Sequence, residues 1–158
     1  PLIYTLFFLT IEPISTLIGA IYAIIFPHTY LHLLSTSISS PAPLLTSLEP
    51  TTTTILAQLG NLYALLALLE GSILRSTADQ KVWRTLLICM LVADVGHVAS
   101  CYLAMDGLTG LSGFLRFWNW NRLDWGNLGF VYVAAGLRIA FLRGVGLASA
   151  EKKTTKNP

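Results

Sequence analysis

Residues 82–104 read VWRTLLICMLVADVGHVASCYLA. Beyond Arg84 the stretch carries one formally charged side chain, Asp94, and one histidine, His97. At about 1.5 Å per residue, a helix of this length crosses the ~30 Å hydrocarbon core of a bilayer. Three further apolar runs flank it, over 2–26, 53–74 and 125–143, so the chain is expected to span the membrane four times.

The rest of the 158 residues agrees with that expectation. Hydrophobic residues make up 54% and charged residues 11%, against about 25% charged in a soluble domain. Ten Lys and Arg with eight Asp and Glu cannot cover a soluble surface of this size. This excludes an ordinary cytosolic domain, a disordered chain and a nucleic-acid binder. The expected fold is an all-α, integral membrane four-helix bundle. It forms a single domain over 1–150, followed by a polar tail over 151–158. The first run is too long for the core of a signal peptide and carries Glu12-Pro13 near its middle, so it is read as a retained span.

The connections differ in kind. Residues 75–81 (RSTADQK) form a short polar turn, which makes spans two and three antiparallel neighbours. Residues 27–52 form a long Pro- and Ser/Thr-rich loop, with a short interfacial helix expected around Thr29–Leu34. A Gly-rich stretch over 107–113 leads into the aromatic run 117–125. Arg75, Lys81, Arg84, Arg143, Lys152, Lys153 and Lys156 fall on one side of the membrane, and only Arg116 and Arg122 on the other. The positive-inside rule then puts both termini in the cytosol. Trp118, Trp120 and Trp125 fit an aromatic belt or a lid on the far side, and Trp83 and Tyr4 mark the cytosolic boundary.

Charged groups in lipid are costly and face the bundle interior or a wet cavity. Gly60, Ala64, Ala67 and Gly71 form a small-residue seam that permits close helix approach. Met90, Asp94, His97 and Cys101 share one face of span three. Counting about 1.5 Å per residue places Glu12, Asn61, Asp94 and His97 near the midplane, with Glu70 and Arg138 in the cytosolic half as a structural ion pair. Two readings of the midplane group stand side by side. Asp94 and His97 can satisfy each other, Asn61 can act as interhelical glue, and Glu12 can bond the carbonyl near Leu9 that Pro13 leaves free. Alternatively, Glu12 is a buried proton donor facing a carboxylate–imidazole pair, the arrangement general acid–base chemistry on an apolar substrate needs.

No phosphate loop, Asp-rich diphosphate motif, haem or flavin signature, or nucleophile elbow is present, so no cofactor is expected. His28 and His32 lack the zincin glutamate, and no metal site is expected. Cys89 and Cys101, roughly 18 Å apart on one helix, are too distant to bridge.

LFFLTIEPISTLIGAIYA (6–23), QLGNLYALLALLEG (58–71), VWRTLLICMLVADVGHVAS (82–100) and WNWNRLDWGNLGFVYVAAGLRIAFL (118–142) resemble a fungal family of small four-helix membrane proteins. The likeness is most specific at Ile11-Glu12-Pro13, at Ala93-Asp94 with Gly96-His97, and from Asp124 to Phe130. Some members of that family stand beside natural-product biosynthetic genes. The plan is similar, more loosely, to the emopamil-binding and sigma-2 receptor superfamily and to the membrane-bound terpene cyclases of fungi. These resemblances imply a cofactor-free cyclase or isomerase in the endoplasmic reticulum membrane, acting on a terpenoid or polyketide-derived substrate. Glu12, Asp94 and His97 are the expected catalytic residues. Asn61, Tyr63, Trp118, Trp120, Asp124, Trp125 and Asn127 are the expected substrate contacts. The alternative is a non-catalytic sterol- or lipid-binding membrane protein. The expected partners are an apolar small molecule and membrane lipid, with a homo-oligomer as an open arrangement.

Overall fold

A computed structural model describes residues 1–37, 48–106 and 114–147. The Gly-rich stretch, the Pro- and Ser-rich middle of the first loop and the polar tail lie outside the described residues. The described residues are helical, with short connections and no strand. Four helices are long and apolar enough to cross a membrane: α1 (Leu2–Ile25), α3 (Pro50–Ser76), α4 (running from Gln80) and α5 (Arg122–Leu142). A shorter helix, α2 (Pro27–Ser37), follows α1 after a break at Phe26. The chain is a multi-pass membrane bundle by length and composition.

Local chemistry sets the helix ends. Proline opens α2 and α3 at the first helical position, where its missing N–H costs nothing. Trp83 donates from Nε1 to the Thr77 carbonyl at 3.0 Å, and Lys81 N–H donates to Asp79 Oδ1 at 2.7 Å. These bonds close the turn between α3 and α4. At the head of α5, the Asn121 side chain accepts from Leu123 and Asp124 N–H, and the Asp124 side chain accepts from Asn121 N–H. That reciprocal cap satisfies donors a helix start otherwise leaves unpaired. Both α1 and α5 contain a π turn, over Phe7–Ile11 and Trp125–Gly129.

The tightest packing joins α1 to α3. Gly60 lies against Ala20 and Ile24 so closely that a Cβ there would stand 2.4 Å from Ile24 Cγ1 and 3.0 Å from the Ala20 carbonyl. The third side is closed by α5, through rings: Phe7 stacks on Phe130 at 5.6 Å, and Phe141 meets Tyr4 at 5.3 Å and Trp83 at 5.7 Å. The fourth helix, α4, leans on α5 and scarcely touches α3.

The two ends of the bundle differ. At one, Tyr4 OH donates to the Val145 carbonyl (3.0 Å) and Arg84 Nη2 to the Leu142 carbonyl (2.8 Å). The start of α1, the α3–α4 turn and the end of α5 meet there, and we call it the terminal end. At the loop end, Asn121 Nδ2 donates to the Leu33 carbonyl at 2.9 Å and ties α2 to α5. Large apolar side chains cover the outside of all four spans, among them Ile18, Leu65, Leu68, Val92, Val95 and Val133. Such a surface suits lipid and would be a liability in water.

The close approach at Gly60 is testable. Gly60→Val is expected to destabilise the bundle by about 1–3 kcal/mol, the usual cost of forcing extra atoms into a packed site. The readout is a lower thermal midpoint in detergent. Gly136→Ala, where an added Cβ meets nothing within 4 Å, should leave the midpoint unchanged.

Candidate functional site

Each of the four spans places one charged side chain inside the bundle. These are Glu12 from α1, Glu70 from α3, Asp94 from α4 and Arg138 from α5. Arg138 is fully buried and stands at the centre. Its Nη2 bonds Glu12 Oε1 and its Nη1 bonds Asp94 Oδ2. Glu70 Oε1 lies 4.0 Å from Nη2. The Phe8 ring covers the guanidinium, with Cζ 5.9 Å from its centroid.

Sequence reasoning separated these residues into a midplane acid group and a Glu70–Arg138 pair nearer the cytosol. The structure joins them into one cluster. Depth counted along the backbone omits the length of arginine. Its stem carries the charge about a helical turn from its own Cα, as long basic side chains in membranes do. Here the stem reaches inward rather than toward the interface.

Three carboxyls share one guanidinium. If all were ionised, the cluster would carry two uncompensated negative charges in a medium without water, which is prohibitive. Neutrality requires two protons on the three acids. Glu12 Oε2, Glu70 Oε1 and Arg138 Nε are buried without a hydrogen-bond partner among the described residues. The cluster therefore has acceptor positions to spare for those protons. Access differs among the acids: the side chain of Asp94 is 14% exposed, against 6% for Glu12 and 1% for Glu70. Asp94 is the member nearest the outside.

The expected Asp94–His97 pairing takes another form. Asp94 is held by Arg138, and His97 Nε2 lies 3.0 Å from the Asn127 carbonyl in the π turn of α5. Cys101 Sγ is 3.7 Å from the same nitrogen. The carbonyl that Pro13 deprives of a donor, Leu9 O, accepts from Arg75 Nη2 rather than from Glu12.

The other expected contacts spread out. Asn61 is exposed. Nine residues from Glu70 at about 100° each put it half a turn out of phase, on the outside of α3. Tyr63 is half-buried, packs 3.5 Å from the position of a Cβ on Gly19, and faces Tyr30 of α2. Asp124 is buried in the helix cap described above. Trp118 and Trp125 are exposed at the loop end, where Trp120 meets Trp125 at 5.4 Å and Tyr132 at 6.3 Å. Among the described residues, no cluster of His, Cys, Asp and Glu is arranged to hold a metal ion. Sequence reasoning passed over Tyr30, a buried hydroxyl on the interfacial helix; its position four residues past the Phe26 break was the available signal.

Arg138→Leu should cost about 3–5 kcal/mol by leaving buried acids without their cation, seen as loss of the thermal transition or of a monodisperse peak in detergent. Replacing Glu12, Glu70, Asp94 and Arg138 together by leucine should recover most of that stability. A quadruple variant no more stable than Arg138→Leu would count against this electrostatic account.

A comparison with curated proteins and one with solved structures found no match. Residues 1–148 match the family described as a domain of unknown function, DUF7704, and the chain belongs to that family.

Proposed function

We propose that this protein is an integral membrane enzyme that carries out cofactor-free isomerisation or cyclisation of an apolar substrate. The observation that carries the reading is the surplus of acids over bases around Arg138, with Asp94 as the most open member. A neutral carboxylic acid held beside a guanidinium is a proton donor whose conjugate base is already neutralised.

In this reading Asp94, protonated, gives its proton to one carbon of a substrate double bond. The π electrons form the new C–H bond, the adjacent carbon becomes cationic, and the carboxylate left behind stays on Arg138 Nη1. Loss of a proton from a neighbouring carbon back to that carboxylate forms a double bond in a new position. If a second double bond of the substrate attacks the cation first, a ring closes before the proton is lost. Either way the acid is regenerated, and nothing is oxidised or reduced. Glu12 and Glu70 hold the other proton of the cluster and keep Arg138 in place. Trp120, Trp125 and Tyr132 offer ring faces at the loop end for the apolar part of the substrate. A pericyclic closure, guided by shape and one hydrogen bond from Asp94, uses the same site.

The sequence resemblance supports a terpenoid or polyketide-derived skeleton within fungal natural-product biosynthesis. Such substrates partition into membranes, which favours the endoplasmic reticulum, and the placement of Lys and Arg favours cytosolic termini. The second reading is a non-catalytic lipid- or sterol-binding protein. It is favoured by the sealing of Glu12 and Glu70 away from the outside, since acids paired only with each other and with Arg138 need no reaction.

Metabolite profiling of the producing organism separates the two. Asp94→Asn, at normal protein level, should lower one product by about 10²-fold or more, the usual worth of a positioned proton donor, with its uncyclised or unisomerised precursor accumulating. An unchanged profile for both Asp94→Asn and Glu12→Gln would refute the acid–base reading.

A further inference from the structure

His97, Cys101, Tyr63 and Tyr30 play no part in the charge balance around Arg138, yet they form a file that starts there. Asp94, His97 and Cys101 stand at i, i+3 and i+7 of α4, on one helical face. Cys101 Sγ is 3.7 Å from His97 Nε2, and the Asn127 carbonyl is 3.0 Å from that nitrogen. Cys101 lies near both Tyr63 and Tyr30, whose hydroxyls face each other, and Tyr30 also faces the Asn127 side chain. Tyr30 belongs to α2 at the loop end, and burial pushes its hydroxyl up from the ordinary tyrosine value, so it keeps its proton near neutral pH. Among the described residues, nothing comparable is present toward the terminal end. There the cluster is covered by Phe7, Phe8, Leu74, Trp83, Leu87 and Phe141.

We propose that the acid cluster exchanges protons with the loop-end surface along the file Tyr30, Tyr63, Cys101, His97 and Asp94, while the terminal end is closed to them. The inference deepens the acid–base reading above and rests on it for its purpose, since an acid that loses a proton to a substrate must be resupplied whenever the product keeps it. In the tautomer with hydrogen on Nδ1, His97 Nε2 accepts the Cys101 thiol proton. The imidazolium so formed donates from Nε2 to the Asn127 carbonyl, which stabilises the charged ring. It then releases the Nδ1 proton to the Asp94 carboxylate and returns to neutral. A tyrosine hydroxyl gives its proton to the Cys101 thiolate and takes one from water at the loop end. One proton enters and one arrives at Asp94, and no bond other than those to hydrogen changes.

The test is hydrogen–deuterium exchange of the buried carboxyls in the full-length protein, reconstituted in phosphatidylcholine vesicles and transferred to heavy water. The carbonyl stretch of protonated carboxyls in the infrared spectrum shifts on deuteration, and its rate reads access to the cluster without any substrate. Asp94→Asn and Glu12→Gln assign the band. The expected result is at least tenfold slower exchange in Cys101→Ala, in His97→Phe and in the double variant Tyr30→Phe/Tyr63→Phe, with Cys89→Ala unchanged. Cys101→Ala and the tyrosine variants remove single atoms, so they carry the test even where His97→Phe fails to fold. Wild-type rates in those variants would overturn the route, and so would the absence of any protonated-carboxyl band. Slowed exchange together with an unchanged metabolite profile in Asp94→Asn would uphold the route and reject the enzyme.

Discussion

A guanidinium in hydrocarbon cannot shed its charge, so the protein has to bring the counter-charge to it. Arg138 does this with one acid from each of the other three spans. That requirement fixes the rotation of α1, α3 and α4 about their axes, because Glu12, Glu70 and Asp94 must all point at the same few cubic ångströms. Apolar packing alone would leave those rotations loose. Lipid tails are as apolar as leucine, so little is gained by turning one leucine face inward rather than another. The cluster supplies the directional term that apolar contact lacks. Arg138 is accordingly among the largest fully buried side chains, together with Phe8, Leu74, Leu87 and Leu128.

Irregular backbone accompanies the cluster on the two helices that carry its central salt bridge. Phe7–Ile11 forms a π turn directly before Glu12, and Trp125–Gly129 forms one two turns before Arg138. A π turn takes up an extra residue and resets the phase between the helical turns on either side of it, and such turns gather at functional sites. In α1 the irregularity is compounded by Pro13, which offers no N–H to Leu9 O. Within a membrane a freed carbonyl must find another donor, and Arg75 reaches across from the end of α3 to supply it. One cation thus serves the buried acids and another repairs the backbone beside them.

The four spans were legible in the sequence because hydrocarbon thickness imposes length and apolarity residue by residue, as in 82–104. The inward position of Glu12 and Asp94 was legible because charge in lipid has few other options. The join between Arg138 and those acids was hidden. Backbone depth placed Arg138 a level away, and only the reach of its stem closes the gap. Asn61 was misplaced for a related reason: it shares the acids' depth, but its phase relative to Glu70 turns it outward. Depth and phase must agree before two residues meet, and the phase within α1 and α5 passes through π turns that no periodicity announces. Tyr30 was equally hard to see, since its burial depends on α2 folding back against α5 through Asn121 and Leu33.

The asymmetry of the two ends gives the cluster a direction. At the terminal end the rings of Phe8, Phe141 and Trp83 lie between Arg138 and the surface, and the hydroxyl within that core, on Tyr4, is committed to the Val145 carbonyl. At the loop end the same depth of protein holds an imidazole, a thiol and two phenols. A structural salt bridge alone would need neither the file nor the contrast. Its acids would be equally well served by apolar neighbours on both sides, because dry surroundings strengthen the attraction to Arg138. Polar groups in hydrocarbon carry a desolvation cost. That this cost falls on one side only is intelligible if protons reach the Arg138 cluster from that side.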